Sequence, residues 1–281
     1  MEASNNLKKR LYTVFSVVGL GIVIVVTVYP FLLMLMGSFK EDYEIFSLTP
    51  SILPRNGFQL TIYKELIENW PIFRGMFNSI VVTVSATALT SFFCTIAGYT
   101  FAKYKFPFKN VLFMILIASM MIPSVATLVP TYLIVRGLGG VNKYWPLIVP
   151  GAVPAFGIFM MRQFAMAGVP MDAIQYARVE GAREGTILMK IAFPMLAPGI
   201  FSLAILTFMN TWNDFLWPII ITTDRSMLTV TALLRSIGDA TLGNFGILLA
   251  ATTLSTLPII ILYIAFHKQL IKGILEGMGK E

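Results

Sequence analysis

Along most of this chain apolar residues run on unbroken, with neither the strict alternation of a half-buried strand nor the single stripe of a soluble helix. Six windows free of Asp, Glu, Lys and Arg are long enough to cross a hydrocarbon core, which takes about 17–25 residues. They are Leu11–Phe39, Gly75–Ala102, Asn110–Val135, Tyr144–Met161, Ile191–Asn213 and Ala240–His267. The pattern predicts an all-α polytopic membrane protein of six transmembrane helices. Residues 1–10 form a cytoplasmic amino-terminal segment, 11–267 the membrane domain, and 268–281 a cytoplasmic tail. Lys8, Lys9 and Arg10 precede the first window as they would precede a signal peptide. That window is too long for a signal core and no small-residue cleavage site follows a short one, so it is read as a retained span.

Four of the polar stretches between and after these windows are informative. The first outer loop, Gly37–Arg74, carries Pro50, Pro54 and Pro71. Its apolar positions Ile62, Leu66 and Ile67, with Tyr63, predict a short interfacial helix over 62–69, with Trp70 anchored among the headgroups. The run KYKFPFKN makes a tight basic turn between the second and third windows, with no ligand chemistry in view. The longest polar stretch of the second half runs from Arg162 to Pro194. Pro170 suits a helix start and Asp172 favours its positive end. Ala173, Ile174 and Ala177 give a small apolar face, Gly181 stops the pattern, and Ile187, Leu188 and Ile191 begin another. Two short helices follow, and they serve either as a surface-lying loop or as a handle for a cytoplasmic partner; we favour the handle. Finally, His267 opens a tail whose glycines Gly273, Gly277 and Gly279 argue against a stable terminal helix.

Proline interrupts several windows: Pro123 and Pro130 the third, Pro146, Pro150 and Pro154 the fourth, Pro258 the sixth. Each frees a carbonyl, and in a membrane such breaks survive only where protein or a wet cavity satisfies the backbone. They suit the hinges of a transporter, though a static bundle tolerates them too. Near the outer end of the fifth window stand Asn210, Asn213, Asp214 and Trp217. At i, i+3, i+4 and i+7 they would share one face of a continuing helix. A carboxylate so close to hydrocarbon points inward, toward a partner or a wet pathway. The plainer reading is an interfacial tryptophan belt with an exposed acid at a helix end.

Composition narrows the class. Of 281 residues 57% are hydrophobic and 12% charged, against about a quarter charged in an ordinary soluble domain. The net charge of +7 does not form a basic patch with interleaved aromatics, so nucleic-acid binding is set aside. The charge follows the spans instead. With the amino end inside, inner segments hold 13 of the 21 Lys and Arg residues and outer segments 8, a positive-inside bias that places both termini in the cytoplasm. Cys94 is the sole cysteine, which excludes an intramolecular disulfide and a thiolate cluster and leaves a small apolar filler. His267 is the sole histidine, with no metal-ligand partner in sequence. There is no phosphate-binding G-x-x-x-x-G-K-[ST] loop, no H-E-x-x-H and no G-x-S-x-G. Spans one to four lack the buried acid that ion-coupled carriers use. The chain reads as a passage without its own motor, not an enzyme.

The Arg162–Pro194 segment and the fifth window together resemble the membrane subunits of binding-protein-dependent ABC importers, in the carbohydrate class typified by the second maltose-permease subunit. That family's cytoplasmic signature, E-A-A-x-x-D-G-A with a later proline, is matched here by Ala177, Gly181, Ala182 and Pro194 within the run Gln175, Tyr176, Ala177, Arg178, Val179, Glu180, Gly181, Ala182. Gln175, Tyr176 and Glu180 depart from its Glu, Ala and Asp. FMNTWNDFLWPI, MIPSVATLVPTYL and GIFMMRQF are similar to the fifth, third and fourth spans of the same class, so the likeness covers nearly the whole chain.

The resemblance implies a type I ABC importer permease fold forming half of a translocation pathway for a sugar or oligosaccharide. It implies a homologous second permease subunit, two ATP-binding cassette subunits and an extracytoplasmic solute-binding protein, in a bacterial plasma or inner membrane. No cofactor is expected on this chain; ATP and Mg would be bound by the ATPase subunits. Gln175, Tyr176, Ala177, Arg178, Glu180, Gly181 and Ala182 become the expected ATPase-coupling residues, and Asn210, Asn213, Asp214 and Trp217 the expected substrate-pathway residues. In the family the leading Glu pairs with an ATPase arginine. Gln175 can accept a hydrogen bond there without charge; Glu180 or Glu184 would compensate, or the companion permease carries the usual Glu. The rivals are the same architecture importing another solute, such as glycerol phosphate or an amino acid, and, from other classes, an ATP-independent carrier, a membrane enzyme or a scaffold.

Overall fold

A computed structural model describes the backbone of residues 2–49, 51–240 and 244–277, and the side chains of 13, 15–49, 51–240 and 244–265. All regular elements among the described residues are helical. In chain order they are α1 (Glu2–Gly37), α2 (Asp42–Ile45), α3 (Thr61–Asn69), α4 (Ile72–Lys103), α5 (Lys109–Ser119), α6 (Ser124–Gly137), α7 (Trp145–Ile148) and α8 (Ala155–Gly168). There follow α9 (Met171–Val179), α10 (Glu184–Ile187), a π-helical turn over Leu188–Ala192, α11 (Phe193–Met195), α12 (Ala197–Asn213), α13 (Leu216–Ile221), a 3-10 turn over Arg225–Met227, α14 (Val230–Ala240) and α15 (Phe245–Gly277).

Among the described residues three helices are long and apolar enough to cross a membrane: Phe15–Gly37 within α1, Ile72–Lys103, and Phe245–Ala265 within α15. The pairs α5/α6 and α10–α11/α12 qualify together, each bent, by 99° and 75° respectively, which brings the number to five. The expected fourth span is not one helix. Pro146 starts α7, and Pro154 stands just before α8, so the chain turns between them. Proline has no N–H to give and its ring crowds the carbonyl four residues back. The same rule ends α5 at Ser119, four residues before Pro123. Pro130 and Pro258, by contrast, lie inside unbroken helices. The tail also differs from expectation: α15 runs on to Gly277, through Gly273, so the low helix propensity of glycine does not stop it. The expectation for the His267 side chain, and for those of residues 268–281, lies outside the described residues, as does Pro50.

The chain divides into two compact units, residues 1–70 with 236–257, and 71–235 with 258–281. In the first, the interfacial helix predicted over 62–69 is α3, seated by Ile62 and Leu66, the latter fully buried. Trp70 is also buried, 8% exposed, and so is not the free headgroup anchor expected of it. A buried polar knot ties together residues 40–55: Glu44 Oε1 accepts from Ser51 Oγ at 3.0 Å and the Arg55 amide at 2.8 Å, with Lys40 Nζ 4.0 Å away.

The second unit is organised by α4, which packs along both α8 and α12. Small residues permit the close approach, as is usual between membrane helices. A Cβ at Gly98 would lie 2.6 Å from the Arg162 backbone nitrogen, and one at Gly157 would lie 2.8 Å from Cys94 Sγ. Cys94 is fully buried and fills this seam as the sequence predicts. Two apolar clusters follow. One joins Cys94, Tyr99, Met161, Ala165 and Leu203 to residues 174–196; the other holds Val82, Val135, Leu147 and Ile221.

Candidate coupling segment and fifth-span corner

The cytoplasm-directed handle predicted around Gly181 is a helical hairpin fastened to the end of the α4/α8/α12 bundle. α9 begins after Pro170, with Asp172 in its first turn. Ile174 and Ala177 turn inward, and Ile187 of α10 joins them; all three belong to the core that contains Tyr99 and Met161. The opposite face is open: Tyr176 is 73% and Val179 86% exposed, and Gln175, Arg178, Glu180 and Gly181 are exposed as well. Of the expected coupling residues, then, Ala177 seats the hairpin, Ala182 is half-buried, and the rest face outward.

Gly181 is required by the backbone. Its φ is +82°, a region that L side chains rarely adopt. Its N–H donates to the Arg178 carbonyl at 3.0 Å, and the Ala182 N–H donates to the Ala177 carbonyl at 2.9 Å. These are the 5→2 and 6→1 bonds of a Schellman motif, which closes α9 and releases the chain toward α10. An added Cβ would meet nothing within 4 Å, so the constraint is conformational and not one of space.

A side-chain clamp spans the glycine. Arg178 Nε donates to Glu184 Oε1 at 2.7 Å, and the Tyr104 hydroxyl donates to Glu184 Oε2. The Arg178 guanidinium lies 5.7 Å from the centroid of the Tyr104 ring, which in turn meets Tyr99 edge-on. The hydrogen bonds from Arg178 and then Tyr104 hold the Glu184 carboxyl below the usual carboxylate range. The clamp ties α9 to α10 and both to the residue that ends α4. Sequence reasoning reached Arg178 and named Glu184 only as a compensating charge; Tyr104, eighty positions from its partner, gave no signal.

Downstream, the π-helical turn Leu188–Ala192 and the 75° bend before α12 join the hairpin to the fifth window. Single π turns inside helices are frequent at functional sites.

The fifth-span corner departs from the expected single face. Asn210 and Asn213 do share an exposed face of α12, but the helix stops there and Asp214 is extended, with ψ 122°. The cause is Pro218, whose ring would crowd the carbonyl of residue 214 in a continuous helix. Asp214 Oδ1 instead accepts from the Leu216 amide at 3.1 Å and the Trp217 amide at 3.4 Å, as an N-cap does for the short α13. Trp217 turns away from the asparagines: its indole N–H donates to the Pro146 carbonyl at 2.8 Å, and its ring packs on the cluster of Val82, Val135, Leu147 and Ile221. Among the described residues no group of three or more His, Cys, Asp or Glu could hold a metal ion.

Comparison with known proteins identifies the lineage. The model of the family described as binding-protein-dependent transport system inner membrane component matches residues 94–276. The chain is 30% identical over 266 residues to the arabinooligosaccharides transport system permease protein AraQ of Halalkalibacterium halodurans, covering 92% of this chain and 94% of that one. It is 31% identical to its Bacillus subtilis namesake, with 89% of each chain covered. It is 25% identical to the lactose transport system permease protein LacG of Rhizobium radiobacter, covering 97% and 98%. A solved bacterial ABC transporter involved in the import of the acidic polysaccharide alginate contains a chain of the same fold, with TM-score 0.79 and 20% identity over 92% of this chain and 96% of that one. The all-helical architecture, the apolar helices and these matches agree: the chain belongs to the binding-protein-dependent transport system inner membrane components, a family of ABC transporter permeases of the inner membrane.

Proposed function

We propose that this chain forms half of the translocation pathway for a sugar or oligosaccharide in an ATP-driven importer. Six membrane crossings with both termini inside, a homologous second permease, two ATPase subunits and an extracytoplasmic binding protein complete the assembly. The relatives named for arabinooligosaccharides and lactose transport support the solute class. ATP and Mg belong to the partner ATPases, and this chain carries no cofactor.

The observation that carries the reading is the two-sided hairpin at Gly181. One face is embedded in the bundle core through Ile174, Ala177 and Ile187. The other presents Gln175, Tyr176, Val179 and Glu180 outward, an amphipathic helix suited to a groove on a partner. A displacement imposed on the outer face passes to α4 through Tyr104 and to α12 through the π turn. ATPase closure would then move the hairpin with the helices it is fixed to, switching the cavity between inward and outward access. The motor supplies free energy only through different affinities for the two states.

The test is a photocrosslinking residue at Tyr176, read in the assembled complex. Capture of the ATPase subunit, altered by ATP, is the expected result. Capture of lipid alone, or labelling only from the outer side of the bilayer, would sink the coupling reading. At the fifth-span corner a second, structural reading stands beside the pathway role, because Asp214 caps α13.

A further inference from the structure

The turn between α4 and α5 holds positive charge that nothing in the coupling segment uses. Lys105 and Lys109 line a shallow pocket of about 330 Å³ together with Phe106, Phe108, Asn110 and Val111. Arg162 and Lys105 both lie near enough to repel the Lys109 ammonium. Among the described residues, no carboxylate forms an ion pair with any of these three cations. Lys109 Nζ spends one proton on the Tyr104 carbonyl, at 2.9 Å, and has two more to donate. Arg162 stacks 4.1 Å from the centroid of Phe113, and its Nε has no hydrogen-bond partner.

The apolar half of the pocket is equally specific. Phe108 has φ 60° and ψ 11°, a left-handed conformation uncommon for a bulky side chain, and is 75% exposed. Below it the outward positions of α5 are apolar, with Val111, Leu112 and Ile115 all exposed. The pocket lies on the first turn of α5, which has no side-chain cap. It thus sits between the end, at Lys103, of a helix long and apolar enough to cross a membrane and the start, at Lys109, of the bent apolar pair α5/α6.

We propose that the α4–α5 turn binds an anionic phospholipid, its phosphate among Lys105, Lys109 and the first turn of α5, its acyl chains along Phe108 and Val111. A free anion would satisfy the cations and leave the apolar half of the pocket idle. An uncharged lipid would do the reverse. Only a molecule with both halves meets the surface as it stands, and the boundary of the hydrocarbon supplies it.

The complete importer complex, released from nanodiscs of equimolar phosphatidylcholine and phosphatidylglycerol, tests this by native mass spectrometry. Phosphatidylglycerol should be retained in preference to phosphatidylcholine. Lys105→Gln, an exposed change that leaves the fold alone, should cut that retention about fivefold, the expected worth of one lysine at an anionic surface. Phe108→Ser should lower it as well with every charge in place. Equal retention of the two lipids, or retention unchanged in both variants, overturns the proposal. Displacement by millimolar inorganic phosphate would show a free-anion site instead. A photocrosslinker at Lys105 that captured the ATPase instead of lipid would show a protein interface, and either result also overturns it.

Discussion

At Gly181 one backbone angle decides what the position tolerates. Any other residue must hold φ near +82°, at about 1 kcal/mol or more, while the space around the Cα is open. Gly181→Ala should therefore loosen the Schellman turn without a clash and lower solute uptake only in part. Gly181→Asp adds charge to an outward face proposed to sit against the motor, and should abolish uptake while the protein still inserts. Uptake and membrane abundance measured side by side separate the two effects; normal uptake in Gly181→Asp would refute the coupling role. Glu184 offers a second residue-level test. Its pKa is lowered in the folded protein by Arg178 and Tyr104. The clamp therefore contributes fully above the ordinary glutamate range and is lost as pH falls through the depressed value. A spin label at residue 183 should be more mobile in Glu184→Gln than in wild type at neutral pH. The difference should vanish in acid, where wild type loses the same charge; a difference independent of pH would show that the carboxylate charge is not what holds the hairpin.

Among the elements, proline wrote the most legible instructions. The end of α5 four residues before Pro123, and the break at Asp214 four residues before Pro218, follow one steric rule, although Pro130 and Pro258, inside unbroken helices, show that a proline alone does not fix a helix end. The expected common face of Asn210, Asn213, Asp214 and Trp217 rests on a helical count continued through the four residues before Pro218, where the helix stops. The corner supports a prediction that distinguishes its two readings. As a cap, Asp214 needs only an acceptor oxygen, so Asp214→Asn should keep near-normal transport, whereas Asp214→Ala should lose about 1 kcal/mol of local stability and with it part of the transport rate. If Asn and Ala are equally impaired in uptake by the reconstituted complex, the charge itself matters and the pathway reading gains. Helices α9 and α10 were legible for a different reason: Pro170, Asp172, the spacing of Ile174 and Ala177, and Gly181 all agree. The glycines of the tail gave the opposite lesson, since weak propensity did not stop α15.

At the scale of the whole molecule, the class of protein is a property of composition and of charge placement, both of which survive any rearrangement of the helices. Membrane solvent leaves the backbone no choice but internal hydrogen bonding, so long apolar runs declare themselves. How they are arranged depends on contacts between distant positions. α4 takes its place through Gly98 against the backbone of residue 162, and through Cys94 against Gly157. Neither glycine stands out in an apolar run, because the close approach that requires it belongs to the partner helix.

The sequence by itself determined that this is a helical membrane protein, that a glycine-broken hairpin interrupts its second half, and which family those residues resemble. Each follows from local periodicity, local capping or the distribution of charge along the chain. Only the tertiary structure decided that Ala177 faces inward while Tyr176 faces out, that Tyr104 and Arg178 converge on Glu184, and that Asp214 caps a helix. It also decided that Lys105, Lys109 and Phe108 line one pocket. Those are matters of direction and distance between side chains, some of them many residues apart, and a linear pattern fixes which residues are available without fixing which of them meet.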